Sequence, residues 1–342
     1  MEIGRLQGIL QSEIDDAIGM LDSETTEERG QAIDYYLRKP YGNEIEGRSQ
    51  IVTGEVAEVV DGALPQLIRV FTSSDELGRF EPVGPGDEEG AKQATDYANW
   101  VFYKDNRGFA LLHDWFKDAL LEKTGTLKAY WEEKVDVNEE AYRGLTDTEL
   151  LLLMSDGTRQ IVAQETMTEE IASPAGAIQQ ITHNVVVQKR ETSGRIQIDV
   201  VPPEEIIVSK KATCVDDAPF IGHRTLKPRS DLIAMGFDPD QINALPAYNS
   251  LDFTEERLAR YSPGEEPFDA ESLDESMQQV EVFECYIYVD FDGDGIAELR
   301  QIFYAGQQVL SWADGSEANI KTDYIPFHVI CPFPVPHKFF GQ

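Results

Sequence analysis

Cations are scarce in this sequence. It sets 29 lysines and arginines against 63 aspartates and glutamates, a formal net charge of −34 at pH 7. So anionic a surface repels phosphate chains and acidic lipid headgroups, which excludes broad, sequence-independent binding of nucleic acid or membrane. Long apolar runs are missing as well. No stretch approaches the ~18 uninterrupted apolar residues of a bilayer-spanning helix, and the polar opening around Met1, Glu2 and Arg5 lacks the apolar segment of a secretory signal. Cysteine is limited to Cys214, Cys285 and Cys331, with no Cys-x-x-Cys and no Cys/His ligand spacing. That pattern argues for reduced thiols rather than a disulfide or zinc scaffold. The histidines, His113, His183, His223, His328 and His337, are scattered and form no metalloprotease pair. A phosphate-binding glycine loop and a nucleophile elbow are also absent from the sequence. Clustered carboxylates alone support a metal-dependent nuclease or other hydrolase only weakly, because this many acids cluster by chance.

What remains is ordinary globular material. The chain has 342 residues, of which 41% are apolar and 10% aromatic, enough for two or three packed subdomains. Ile3, Leu6, Leu10, Ile14, Ala17, Ile18 and Leu21 predict an amphipathic first helix. Tyr35 to Gly47 reads as a structured connection. Val52, Val56, Val59, Ala63, Leu67 and Phe71 predict the buried line of a second helix, with Pro65 inside it. Asp87 is placed to cap a third, facing Ala91, Ala94, Ala98 and Val101 inward. A fourth carries Leu112, Trp115, Phe116 and Leu120, with Gly125 as its C-cap. From Thr126 the period changes to two. Thr146 with Glu149 predicts a capping box and a short helix to Met154. Strands are expected at 181–189, 195–201, 206–209 and 220–225, with a turn near Ser193 and Gly194. Short helices follow at 230–235 and 239–245. Strands at 282–290 and 296–304 flank an Asp/Gly turn as a hairpin.

The expected organisation is therefore α+β: a helical N-terminal layer packed on a mostly antiparallel, β-rich body. The boundaries are 1–125 helical, 126–260 mixed α/β, 261–280 an acidic linker or loop, and 281–342 a hairpin followed by an extended segment.

Two sets of residues point to binding. Asp290, Asp292 and Asp294 alternate in a loop where Gly295 permits a sharp turn, Ile296 offers a carbonyl and Glu298 follows, a donor set suited to a hard cation such as Ca²⁺. The plain alternative is an Asp/Gly hairpin turn that needs no metal. Gln301 at the twelfth loop position and the strand-like flanks favour it. Otherwise no cofactor is expected. The second set is cationic: Arg38, Lys39, Arg48, Arg224 and Arg229 are candidates to meet acidic faces of a neighbouring subunit.

The order of segments resembles a known family. Residues 31–49, Gln-Ala-Ile-Asp-Tyr-Tyr-Leu-Arg-Lys-Pro-Tyr-Gly-Asn-Glu-Ile-Glu-Gly-Arg-Ser, are similar to the N-terminal signature of bacteriophage portal proteins of the short-tailed-phage type. So are the helix from Ser49 to Phe71, the Phe109–Tyr130 segment, the Phe220-Ile-Gly-His-Arg-Thr225 strand with the Ser230 helix after it, and the Asp290–Glu298 turn. Pro336 to Gln342 looks like the lead-in to that family's stem helix. The resemblance implies a wing-like α/β body, with stem, clip and crown lying beyond Gln342. It also implies a homo-oligomeric ring of about twelve copies at one capsid vertex, assembled in the host bacterial cytoplasm and carried in the virion. Double-stranded DNA would pass through without sequence-specific binding, and the expected partners are terminase motor, tail or adaptor proteins and capsid protein. No membrane and no catalytic activity are expected. The alternatives kept open are a calcium-stabilised binding module and another phage connector or tail protein.

Overall fold

The computed structural model describes residues 1–20, 25–40, 45, 47, 51–74, 76–155, 157, 159–173, 176–248 and 274–341. Helix α1, Ile3–Met20, forms where its three- and four-residue spacing predicts, and Leu6, Leu10, Ile14 and Ala17 are buried along one stripe. Helix α2, Thr26–Tyr36, was not expected. It carries few apolar residues and is held by Arg29, which is fully buried. The Arg29 guanidinium donates to the Glu122 carbonyl (3.0 Å), Thr124 Oγ1 (3.1 Å) and the Pro203 carbonyl (3.4 Å). It also lies 5.1 Å from the centroid of the Phe340 ring. An arginine core is invisible to hydrophobic periodicity.

Helix α3, Glu55–Thr72, runs through Pro65. Its buried line is Ala57, Val60, Leu64 and Ile68, not the line through Val59 and Leu67. The reason is that ten apolar residues between Val56 and Phe71 fill about half the helix circumference. Periodicity locates that half but not the part the chain itself covers. Helix α4, Glu88–Trp100, buries Ala91 and Thr95, whereas Ala94 and Ala98 face solvent. The Thr95 hydroxyl donates to the Ala91 carbonyl and accepts from the Phe80 N–H, so a polar residue earns burial there. A single π turn, Val101–Asp105, leads to α5, Gly108–Glu122. Lys123, in the left-handed conformation, caps α5. Gly125 instead opens a strand, where a Cβ would lie 2.3 Å from the Trp115 carbonyl.

The strands are β1 Gly125–Leu145, β2 Arg159–Ser173, β3 Gly176–Val201, β4 Ile206–Val208, β5 Phe220–Pro228, β6 Gln279–Val289, β7 Glu298–Ala305, β8 Gln308–Val309, β9 Asn319–Lys321 and β10 Phe327–Ile330. Helix α6, Asp147–Met154, sits between β1 and β2, and α7, Arg229–Ala234, and α8, Pro239–Ala244, follow β5. Two compact units result. The main unit comprises Met1–Ala129 with Ile198–Gln342, and the insert comprises Tyr130–Gln197.

In the main unit the sheet order is β4-β5-β6-β7-β8, with β9 added against β7. Every pairing is antiparallel. Side-chain alternation gives the sheet two apolar faces. Phe283, Cys285 and Ile287 of β6 pack with the α1 stripe. Ile221, Tyr286 and Leu299 pack on the other side with Phe327 of β10 and Phe339. Strand β10 pairs with the first residues of β1, from Gly125↔Ile330 to Lys128↔Phe327. A third cluster joins Leu232, Phe237, Ile242 and Leu245 to Val280 and Val282. Gln279 and Val280, at the end of the expected acidic linker, therefore open β6. Most of that linker lies outside the described residues. The helical layer has its own core of Leu64, Ile68, Phe102, Leu112 and Phe116.

In the insert, β2 pairs with β3 from Arg159↔Lys189 to Ser173↔Gly176, with a register shift between Ile161 and Ala163. The turn expected near Ser193 and Gly194 is absent, because β3 runs straight through. Gly194 serves close approach rather than turning: a Cβ there would lie 2.1 Å from the Trp131 ring. The capping box of α6 forms as the sequence predicts. The fold is α+β, with a helical N-terminal part and a largely antiparallel β body.

Candidate functional site

The acidic turn links β6 to β7 in the main unit. Gly293 (φ 87°) and Gly295 (φ 89°) take left-handed conformations that let the chain double back tightly. The aspartates largely serve this backbone. Asp290 Oδ1 accepts from the Gly293 N–H at 2.7 Å, and its Oδ2 accepts from the Gly295 N–H at 3.0 Å. Asp292 accepts from the Asp294 N–H (3.1 Å), and Asp294 from the Ile296 N–H (2.8 Å). One carboxylate oxygen from each of Asp290, Asp292 and Asp294 lies within 4.8 Å of the others. Glu298 is not with them. Its carboxylate accepts from Arg300 at 2.6 and 2.9 Å and from Lys321 at 3.1 Å, and these bonds hold it below the usual 4.5. Ile296 is exposed. The trio thus supplies three ligands where Ca²⁺ takes roughly six to eight, with the fourth expected carboxylate committed elsewhere.

The four described candidate cations are held by separate surroundings. Arg38 is exposed, in the left-handed conformation (φ 58°), with its guanidinium beside Gly54. Lys39 pairs with Asp34 at 2.8 Å. Arg48 lies outside the described residues. Arg224 of β5 pairs with Glu281 of β6 at 2.5 Å. Arg229, buried at the start of α7, donates to the Leu245 carbonyl at 2.8 Å. The last two serve their own chain, so charge reversal there disturbs folding before it tests assembly. The histidines are equally dispersed. His113 meets Asp114 (2.8 Å) on the surface, His183 meets Asp147 (2.7 Å) and His223 meets Glu205 (3.3 Å).

Sequence reasoning missed one buried polar cluster. Lys128 of β1 pairs with Glu284 of β6, which also accepts from Tyr286 Oη (2.7 Å) and Gln301 Nε2 (2.9 Å). Burial pushes the Glu284 carboxyl upward, but the Lys128 charge and the Lys128 and Tyr286 hydrogen bonds outweigh it, and its pKa lies below the usual 4.5. The Phe327 ring meets Tyr286 edge-on and lies under the Lys128 ammonium. Charged residues in a strand read as solvent-facing, so no period-two signal marks this set.

Residues 6–342 match the model of the family described as phage SU10 portal protein. The chain belongs to that family. It is thus a bacteriophage portal, or head-to-tail connector, protein of the short-tailed-phage type. No curated protein matches the chain. For a portal subunit the relevant surfaces are those that meet other chains, and α3 offers an unusual one. Beside its buried line runs a second apolar line, in which Val59 is 70% and Val70 68% exposed, with Val56, Leu67 and Phe71 partly exposed. Its charged residues, Glu55, Glu58, Asp61 and Arg69, all fall on the other half of the helix. Among the described residues no helix is long and apolar enough to cross a membrane.

Proposed function

We propose that this chain is the structural subunit of a closed ring at one capsid vertex, of about twelve copies. Duplex DNA passes through that ring during packaging and ejection. The ring is a docking platform, first for the terminase motor and later for tail or adaptor proteins, within the capsid shell. The observation that carries this reading is the family match across residues 6–342. The charge supports it physically. Each Lys or Arg contact to a phosphate must exchange counterions as DNA moves, so a cationic wall would hold the duplex. A subunit at −34 offers little such grip.

On this reading the chain carries no catalytic centre of its own, and it works by position, as part of the virion assembled in the host cytoplasm. Exposed Arg38, together with Lys39 and Arg48, is proposed to meet acidic faces of the neighbouring copy. Negative-stain imaging of the full-length protein tests the proposal. Closed rings of uniform diameter are expected. A protein that stays monomeric over the accessible concentration range, or that turns over nucleic acid in Mg²⁺, overturns it.

A further inference from the structure

We propose that the uncovered apolar side of α3, centred on Val59 and Val70, is a contact between neighbouring copies of this chain. The inference rests on the ring reading above and assigns it a surface. A helix side that faces water is ordinarily charged, and single exposed valines need no explanation, but a continuous apolar line does. On α3 the line extends directly from the buried line that meets the helical core, so one helix presents two adjoining apolar sides, of which the described residues bury only one.

Charge selects the occupant. Two copies each at −34 repel, so away from any paired cations a face that joins them must bury surface without burying unpaired carboxylates, whose desolvation is costly. Here Glu58 and Asp61 are held on the opposite half of the helix and Glu55, in its first turn, only borders the line, so a like-charged neighbour can approach the valines with few anions to strip of water. Duplex DNA and anionic lipid find no cation along this line to hold them. In a cyclic ring the contact is heterologous, so the α3 side of every copy is used once and one substitution per chain strikes every interface.

The test compares wild-type full-length protein with Val59→Glu/Val70→Glu by native mass spectrometry across a concentration series. Both side chains are largely exposed, so the variant should keep the wild-type circular dichroism spectrum and melting midpoint. Its assembly should require at least roughly tenfold more protein, or be lost, because each interface now buries unpaired carboxylates. Glu58→Gln, on the charged half, should assemble as wild type. A folded double variant that forms rings at wild-type concentrations overturns the α3 assignment and leaves the ring reading standing. A wild-type protein that never assembles overturns both. Should the double variant misfold, hydroxyl-radical footprinting of wild type decides: Leu67 and Phe71 should label less in rings than in dilute monomer, and equal labelling overturns the assignment.

Discussion

The main unit and the insert use the same parts, antiparallel strands and short helices, yet they hold themselves together by different means. The main unit's sheet carries apolar side chains on both faces, covered by α1 on one side and by Phe327 and Phe339 on the other. In the insert, the buried residues among those described are Thr182, His183, Val185 and Val187. Its helix α6 buries none of its residues, and Leu151 and Leu152 are each 73% exposed. The insert instead depends on the β2–β3 ladder, the α6 capping box and pairs such as His183 with Asp147 and Arg195 with Glu132. Apolar sequence shows where burial is available, and topology decides whether it is taken.

The sharpest way to break this contrast is a pair of truncations. Phe220→Ala removes a fully buried ring from the main sheet and should cost about 3–5 kcal/mol in urea denaturation of the full-length protein. Leu152→Ala should change stability by no more than about 0.5 kcal/mol. A comparable loss at both sites would show that the insert has a core of its own.

Next in size is the buried pair beneath β1. Glu284→Gln removes the carboxylate paired with the Lys128 ammonium and should cost roughly 3 kcal/mol at neutral pH. The folded carboxyl titrates below its ordinary value of 4.5. Its stabilisation is therefore complete above that value and is lost as pH falls through the lower folded pKa. The gap between wild type and variant should be constant near neutrality and close in acid. A gap that instead grows with acidification would contradict the ion-pair account.

How much of this was legible follows the same division. In the main unit, α1, strands β4 to β7 and the hairpin around Asp290 stand close to where periodicity and turn residues put them, because burial there follows the two simple periods. The α6 capping box was equally plain, since its signal is local and chemical. Helix α2 and the Glu284 cluster were not legible, because polar and charged side chains form their contacts. Strand β2 lacked the clean alternation that one buried face imposes, and most of its described side chains are exposed. On α3 the apolar half was legible, but which line of it the chain covers depends on where α5 lies. Of the candidate site, the convergence of three aspartates was readable from spacing, whereas the diversion of Glu298 to Arg300 and Lys321 depends on cross-strand register.

A smaller effect should separate the units by location rather than by size. The Thr146 hydroxyl accepts from the Glu149 N–H, and the Glu149 carboxylate accepts from the Thr146 N–H at 2.9 Å. These bonds hold the Glu149 carboxyl below its usual 4.5. Thr146→Ala should cost about 1 kcal/mol. Hydrogen exchange should quicken in residues 147–154 while the main sheet keeps its protection. Quickened exchange spread into β5 and β6 would mean that the two units do not unfold separately.

The smallest effect is expected at the acidic turn. Its aspartates already have donors, since the backbone N–H groups of Gly293, Asp294, Gly295 and Ile296 all point at them. A bound ion would have to compete with those bonds while drawing on three carboxylates, with Glu298 held by two cations. Adding calcium, or a chelator, should therefore leave the melting midpoint of the full-length protein unchanged, and Asp292→Ala should respond no differently. Ligand binding to the folded state alone must raise the midpoint. A calcium-dependent rise in wild type that vanishes in Asp292→Ala would make the turn a metal site and give the main unit a second source of order besides its apolar faces.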